Sequence, residues 1–432
     1  MTRKIAMQIL YEIEVKGAYS NIALNNALKQ NKDLKSVDKA LITRIVYGVI
    51  SQKLALEEII KKYSKIRLKK ISTYILIILK IGIYQIKYMD KIPDSAAVNE
   101  CVKLAKRYGH GASAGFVNGL LRSVIRDGGE IENNNLAIKY SFPEEIAKKW
   151  CNDLGEEFTH KLMESLNEVA QTYVRINSLK TSKKAVLERY KEFEESQIYN
   201  NSLIFKGTDI TSSDAYKKGY IYPQDISASL ASVVLNPQIG EKVLDLCSAP
   251  GGKTTHIAEL MGNIGEVVAC DIHAHKIDLI EKNCQRLGID IVNTACYDST
   301  VFNKRFENCF NKVLCDVPCS GWGIIRKKPE IKWNNDKIED IIKISREILT
   351  NASKYVKIGG ELVFSTCTLN KDENEEQLKS FLETNKNFET VDITEFLPDS
   401  LRHDSAKQGY VTFYPHIDKI DGFFIAKVKR CR

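Results

Sequence analysis

Two cysteines in this 432-residue chain sit where a thiol can do chemistry. Cys319 lies in Asp316-Val317-Pro318-Cys319-Ser320-Gly321, and Cys367 lies in Ser365-Thr366-Cys367-Thr368. Each follows an apolar run, Lys312–Asp316 or Glu361–Ser365, so each is expected just past the end of a strand. A free cysteine is most often a small buried hydrophobe, and that reading suits Cys270, Cys284, Cys296, Cys309 and Cys315. It suits Cys319 and Cys367 poorly, because Pro, Gly, Ser and Thr flank them. A thiolate in such a place is a nucleophile, and nearby helix starts favour its charged form. Zinc fits less well. Cys309, Cys315 and Cys319 contain no CxxC pair and His273-Ala274-His275 lacks a third nearby partner, so no metal is expected.

A second constellation precedes these boxes. Val243-Leu244-Asp245-Leu246 runs into Cys247-Ser248-Ala249-Pro250-Gly251-Gly252-Lys253-Thr254-Thr255. A loop of small residues between a strand and a helix lets the backbone approach a ligand, with helix-start N–H groups facing it. Gly252-Lys253-Thr254 resembles the end of a P-loop, and Val313–Asp316 a Walker B strand, which would make the chain an NTPase. Position 247 is Cys where that motif requires Gly, and Pro250 removes one phosphate-cradling N–H. The acids favour an adenosine ligand instead. Asp271 closes the second strand nineteen residues after Gly252, where a carboxylate accepts hydrogen bonds from ribose hydroxyls. With Asp245, Asp298 and Asp316 it forms a set of four at or just beyond successive strand ends, expected to converge on one crevice.

The elements that must position these residues read as three parts. Residues 1–127 show helical spacing, as in Ile5, Ile9, Leu10 and Ile13 and again in Leu41, Ile42, Ile45, Val46 and Val49, with breaks near Gly17, Ser36, Pro93 and Gly109–Gly111. An all-helical domain over 1–130 follows. Asp127-Gly128-Gly129 and Asn133-Asn134-Asn135 then read as a linker. Residues 141–230 combine a helical stretch, Pro143–Ala170, with short strands near Thr172–Ile176, Leu203–Phe205 and Tyr220–Tyr222, a small α+β module. From 231 to 432, strands at Lys242–Leu246, Glu266–Asp271, Ile291–Cys296, Lys312–Asp316 and Glu361–Ser365 alternate with helices, and two more follow at Tyr410–Phe413 and Gly422–Val428. That alternation is the signature of βαβ units and a parallel sheet.

A crevice holding a methyl donor beside two thiols has a chemical rationale. Carbon 5 of cytosine is a weak nucleophile, and a thiolate adding to carbon 6 makes it an enamine carbon that can attack a sulfonium methyl. The proton on carbon 5 must then leave before the cysteine is eliminated, so a second assisting group is useful. A carboxyl group near ring N3 and the exocyclic amine, such as Asp316, would orient the base.

At these residues the chain resembles the RNA cytosine-C5 methyltransferases of the Sun/Fmu family. The matching pieces are Asp245–Thr255, Asp271, Asp298, the box at 316–321 and Ser365–Thr368, together with Tyr414-Pro415-His416 and Asp421-Gly422-Phe423-Phe424. The resemblance implies a Rossmann-like α/β catalytic domain that uses S-adenosyl-L-methionine and releases S-adenosyl-L-homocysteine. It implies that Cys247, Ser248, Ala249, Pro250, Gly251, Gly252, Lys253, Asp271, Asp298 and Asp316 hold the donor. It makes Cys367 the nucleophile, Cys319 the group assisting release and Asp316 a further catalytic residue. This reverses the pattern of DNA cytosine methyltransferases, where the Pro-Cys cysteine attacks. The first part, through Ile92–Glu100 and Phe116–Arg122, is similar to the NusB-like domain of a bacterial subgroup that modifies one cytosine of small-subunit (16S) ribosomal RNA. Arg175–Lys180 and Gln224-Asp225 match that subgroup's linker module, expected to be RNA-recognition-like. Trp322 departs from the pattern, where a smaller residue is usual, and is expected at the lip of the base pocket.

Composition supports this division. Hydrophobic residues make up 44% and charged residues 27%, which excludes a disordered or disulfide-stapled chain. The net charge of +8 is uneven: residues 1–140 hold 24 Lys/Arg against 12 Asp/Glu, and the remainder 39 against 43. Six cations, Lys61, Lys62, Lys65, Arg67, Lys69 and Lys70, crowd ten residues, which points to a polyanion partner. Eleven cysteines without paired spacing, and no apolar leader after Met1-Thr2-Arg3-Lys4, fit a reducing cytoplasm. Ile71–Met89 is interrupted by Lys80, Gln85 and Lys87, so it reads as a buried helix and no membrane partner is expected. The expected state is a monomer acting on single-stranded or loop cytosine in 16S rRNA. The competing readings are a non-catalytic, antitermination-like RNA-binding factor and the P-loop NTPase.

Overall fold

Apolar residues repeating at helical spacing need a common core, and the first part of the chain supplies it. The computed structural model describes residues 1–131, 135–207, 209–334 and 337–432, so Asn133 and Asn134 of the expected linker lie outside the described residues. Seven helices occupy Thr2–Lys16, Ser20–Gln30, Ser36–Ser51, Lys53–Tyr63, Thr73–Tyr88, Asp94–Tyr108 and Ser113–Asp127. Leu10, Ile42, Ile45, Val46, Ile78, Ile81, Val117 and Leu121 are fully buried among them. Gly48 shows how tightly two helices meet, since a Cβ there would fall 1.9 Å from the Tyr84 ring. All six cations of the 61–70 run are exposed, and among the described residues Lys65, Arg67, Lys69 and Lys70 form no ion pair.

The polar residues that interrupt Thr73–Tyr88 are satisfied internally. Lys80, 1% exposed, bridges Glu14 at 3.1 Å and Glu57 at 2.8 Å. Gln85 donates to Ile81 O and accepts from Arg3 Nε at 2.9 Å. Among the described residues no helix is long and apolar enough to cross a membrane. Removing one partner of a buried ion pair strands the others, at a cost of about 3 kcal/mol. Lys80→Ala therefore lowers the first urea-unfolding midpoint of the full chain, followed by helical circular dichroism; an unchanged midpoint would show the pair to be idle.

Two boundaries differ from the sequence reading. Contacts group Met1–Glu168 as one unit, so the helices Glu144–Leu154 and Glu156–Ser165 belong with the helical part and not with the small module. Ile325–Asn334 joins the same unit, although the sequence places all of 231–432 in the catalytic domain. Its anchor is Lys332, whose Nζ donates to Ser51 O at 3.1 Å, Ser141 O at 3.2 Å and Asn167 Oδ1 at 2.6 Å, 3.7 Å from the Phe142 ring centroid. A ten-residue excursion carries too few apolar repeats to reveal where it docks.

The second unit contains two sheets. The smaller is antiparallel, built from β1 (Thr172–Ile176), β2 (Phe193–Glu195), β3 (Ser202–Phe205) and β4 (Ile221–Pro223) in the order β2-β3-β1-β4. The larger has β5 (Lys242–Asp245), β6 (Glu266–Asp271), β7 (Val292–Cys296), β8 (Phe310–Asp316), β9 (Val356–Thr366), β10 (Phe388–Thr390), β11 (Tyr410–Phe413) and β12 (Phe423–Arg430). Its order is β10-β12-β9-β8-β5-β6-β7, with β11 paired to β12. Strands β5 to β9 run parallel, and β12 returns antiparallel beside β9. The order reverses at β5, between β6 and β8, and an open α/β sheet presents its ligand crevice at the strand ends beside such a switch.

Candidate active site

The loop after β5 is held from every side by short polar contacts. Ser248 donates from both N and Oγ to Cys270 O at the end of β6, at 2.9 and 2.8 Å. Ala249 N lies 3.3 Å from Asp271 Oδ2, and Gly251 N donates to Ser248 O at 2.7 Å. Gly251 adopts φ +98°, a conformation that favours glycine, and the helix Gly252–Leu260 starts directly after it. Asp245 is 0% exposed and accepts from Thr254 Oγ1 at 2.7 Å. Burial pushes its pKa up to about 7. Asp245 is thus tied to the helix that follows the loop and lies within electrostatic reach of Lys253 and Asp316, and the other acids of the set are Asp271, Asp298 and Asp316.

Those three sit at the strand ends in different settings. Asp271, 7% exposed, also accepts from His273 N at 3.0 Å. Asp298, half-buried, accepts from Thr300 N and Oγ1 at 3.0 and 2.7 Å, and the next residue ties this turn to β5 through Ser299 Oγ to Leu246 O at 2.7 Å. Asp316 receives Lys253 Nζ at 2.7 Å on one oxygen and Ser365 Oγ at 2.8 Å on the other. Burial opposes the Lys253 charge, but the charge and hydrogen bond of Asp316 more than offset it, so the lysine's pKa ends raised. The ends of β5, β6, β8 and β9 are thus laced together.

Cys319 and Cys367 meet at the same edge. Their sulfurs lie 3.3 Å apart and both residues are half-buried. Contact with Cys367, then burial, then the charges of Cys367, Glu373 and Asp316 push the Cys319 thiol well up. Lys253 interacts electrostatically with Cys367 as well as with Asp316. The backbone beside Cys367 is closely packed. Gly323 N donates to Cys367 O at 2.9 Å, and a Cβ on Gly323 would fall 1.9 Å from Gly422 O. Trp322, next to Gly323, is 2% exposed.

Other sequence expectations fare differently. Cys270, Cys284 and Cys315 are buried as expected, whereas Cys296 is exposed and Cys309 half-buried. Cys296 ends β7, an edge strand with only one neighbour, so one side lacks cover. Cys247, expected to hold the donor, is half-buried, and burial pushes its thiol well up. Among the described residues no group of three or more His, Cys, Asp or Glu is arranged to hold a metal ion.

The site also uses residues whose roles were not legible. Arg175 on β1 reaches the donor-loop helix: it is 1% exposed and meets Glu259 at 2.8 and 3.0 Å, Gly252 O at 2.8 Å, and Gln224. Strand alternation sends Val174 and Ile176 into the small sheet's core and Arg175 to the opposite face. Glu373 grips the loop after Cys319, through Ser320. Nothing in their spacing signals these partners, which come from distant parts of the chain.

The comparisons agree with this architecture. A family model described as 16S rRNA methyltransferase RsmB/F matches residues 232–429, and one described as NusB family matches residues 1–126. The Bacillus subtilis (strain 168) protein named "Probable ribosomal RNA small subunit methyltransferase B" is 35% identical over 443 residues, covering 99% of this chain and 98% of its own. A Vibrio cholerae serotype O1 protein, ribosomal RNA small subunit methyltransferase B, is 30% identical, covering 99% of this chain and 97% of its own. The crystal structure of PH0851 aligns with a TM-score of 0.81 and 27% identity, covering 99% of this chain and 98% of that one. With both domains matched in order and relatives aligned end to end, the chain belongs to the ribosomal RNA small subunit methyltransferase B family.

Proposed function

We propose that the protein methylates carbon 5 of a cytosine in small-subunit (16S) ribosomal RNA through a covalent adduct between Cys367 and carbon 6. The observation that carries this reading is the 3.3 Å approach of Cys319 and Cys367 beside the Lys253–Asp316 pair, at the switch point of the sheet. The donor would be S-adenosylmethionine, and the chain's own groups fit it. The loop Cys247–Lys253 brings small residues and a helix start to the crevice, and Asp271, Asp298 and Asp316 offer acceptors at the strand ends. When bound, this donor supplies the methyl group.

The residues then divide the work. Cys367 sulfur adds to carbon 6 as a thiolate, and the ring electrons shift to carbon 5. Lys253 favours charge on that sulfur and fixes Asp316, whose carboxylate orients the base. After methylation carbon 5 gives its proton to a base, the role proposed for the Cys319 sulfur as a thiolate; the electron pair left behind reforms the carbon 5–carbon 6 double bond, and the carbon–sulfur bond breaks to return Cys367 as a thiolate. Cys319, in contact with Cys367, assists this release. The target base must leave its stack to reach the thiol, which favours single-stranded or loop RNA. The exposed cations of residues 61–70 would grip phosphates in a salt-dependent way. A purely RNA-binding role leaves the paired thiols and the laced donor loop without work.

The test is nucleoside mass spectrometry of small-subunit RNA taken from a strain lacking the gene and incubated with the protein and labelled S-adenosylmethionine. The label is expected in 5-methylcytidine. Label in another nucleoside, or none, contradicts the reading.

A further inference from the structure

Glu373 is a buried carboxylate, 1% exposed, on the turn Lys371–Glu373 that follows the Cys367 loop. Its Oε2 accepts from Ser320 N at 2.7 Å. Its Oε1 accepts from Ser320 Oγ at 2.6 Å and from Asn370 Nδ2 at 2.9 Å. A serine hydroxyl has one proton. With that proton given to Glu373, the 2.6 Å contact between Ser320 Oγ and Thr368 Oγ1 must be donated by the threonine. Ser320 directly follows Cys319, and Thr368 directly follows Cys367. The residues after the two cysteines are therefore hydrogen-bonded to each other, and Glu373 holds the bond's direction.

The same turn fixes the other flank of Cys367. Asn374 accepts from Thr366 Oγ1 at 2.5 Å and donates to Thr368 O at 3.0 Å. Cys367 is thus braced on both sides, and Cys319 is tied to that brace by one carboxylate. From this geometry we infer that Glu373 is a positioning residue: it sets the spacing of the two sulfurs and so governs release of the methylated base more than the initial attack. The inference rests on the roles proposed above for Cys319 and Cys367. Asn374 and Thr368 hold Cys367 without help from Glu373, whereas the backbone after Cys319 depends on it.

Glu373→Gln is a sharp probe because donors approach both carboxylate oxygens. Either orientation of the amide turns an NH2 against Ser320 or Asn370. Full-length parent, Glu373→Gln, Ser320→Ala and Cys319→Ala proteins would be incubated with small-subunit RNA and S-adenosylmethionine. Turnover and denaturation-resistant protein–RNA adduct are then measured in parallel. Glu373→Gln is expected to form adduct at close to the parental rate while turnover falls roughly 10–100-fold, so that adduct accumulates although Cys319 is present. Ser320→Ala shifts both readings the same way by a smaller factor, and it carries the test if the glutamine variant does not fold. Two results overturn the inference: turnover within about twofold of the parent, or adduct formation and turnover falling in the same proportion, as loss of structure alone would give. Cys319→Ala separates the two levels. If it fails to trap adduct, the role of Cys319 is wrong; if it traps adduct and Glu373→Gln does not, only the positioning role falls.

Discussion

Cys367→Ala abolishes 5-methylcytidine formation, with turnover falling roughly 10^4-fold or more, as removal of an enzymatic nucleophile typically does. The expectation follows from the placement of the sulfur. It lies just past the end of β9, 3.3 Å from the Cys319 sulfur, with the Lys253 ammonium as an electrostatic partner. The side chain is short and half-buried, and its neighbours are fixed through Thr366, Thr368 and Gly323, so alanine leaves the loop in place. The donor loop is fixed by hydrogen bonds to Asp316 and β6, so calorimetric binding of S-adenosylmethionine is expected to stay within about threefold of the parent. Full retained activity would remove Cys367 from the chemistry.

Cys319→Ala gives the opposite signature. Attack by Cys367 proceeds, release fails, and a covalent protein–RNA species accumulates toward one per enzyme, visible as a band that survives denaturation. The two sulfurs lie 3.3 Å apart, so the group proposed to assist release stands beside the carbon–sulfur bond that must break. An equal loss of adduct formation and turnover in this variant would make Cys319 a partner in attack. The double variant, lacking both thiols, is expected to form no adduct.

Much of this site was legible in the sequence because parallel strands buried on both faces are near-continuous apolar runs. The strand reading of Glu266–Asp271 and Tyr410–Phe413 matches the structure residue for residue, and the other main strands differ only at their ends. Since the strand ends define the crevice, Asp271, Asp316, Cys319 and Cys367 could be placed there without coordinates. What escaped depends on pairing across the fold. Strands β2 and β10 are three residues long, too short for a period-two pattern. Asp245 is a strand-end acid like Asp271, and its bond to Thr254 carried no sequence signal. Arg175 with Glu259, and Glu373 with Ser320, are partners 84 and 53 residues apart, so neither bond has a local sequence signal. The stretch read as helical, Pro143–Ala170, holds two helices, Glu144–Leu154 and Glu156–Ser165, and ends five residues short; which unit its apolar face joins is a tertiary choice.

The central claim is that one named sulfur bonds to the RNA base. Its most direct test is to prepare the adduct with the Cys319→Ala protein, digest both RNA and protein, and locate the nucleotide mass on the peptides. A cytidine-derived, methylated mass is expected on the peptide containing Cys367, and none after Cys367 is also replaced. A nucleotide on any other residue, or an adduct that forms with Cys319 in the Cys367→Ala protein, contradicts it.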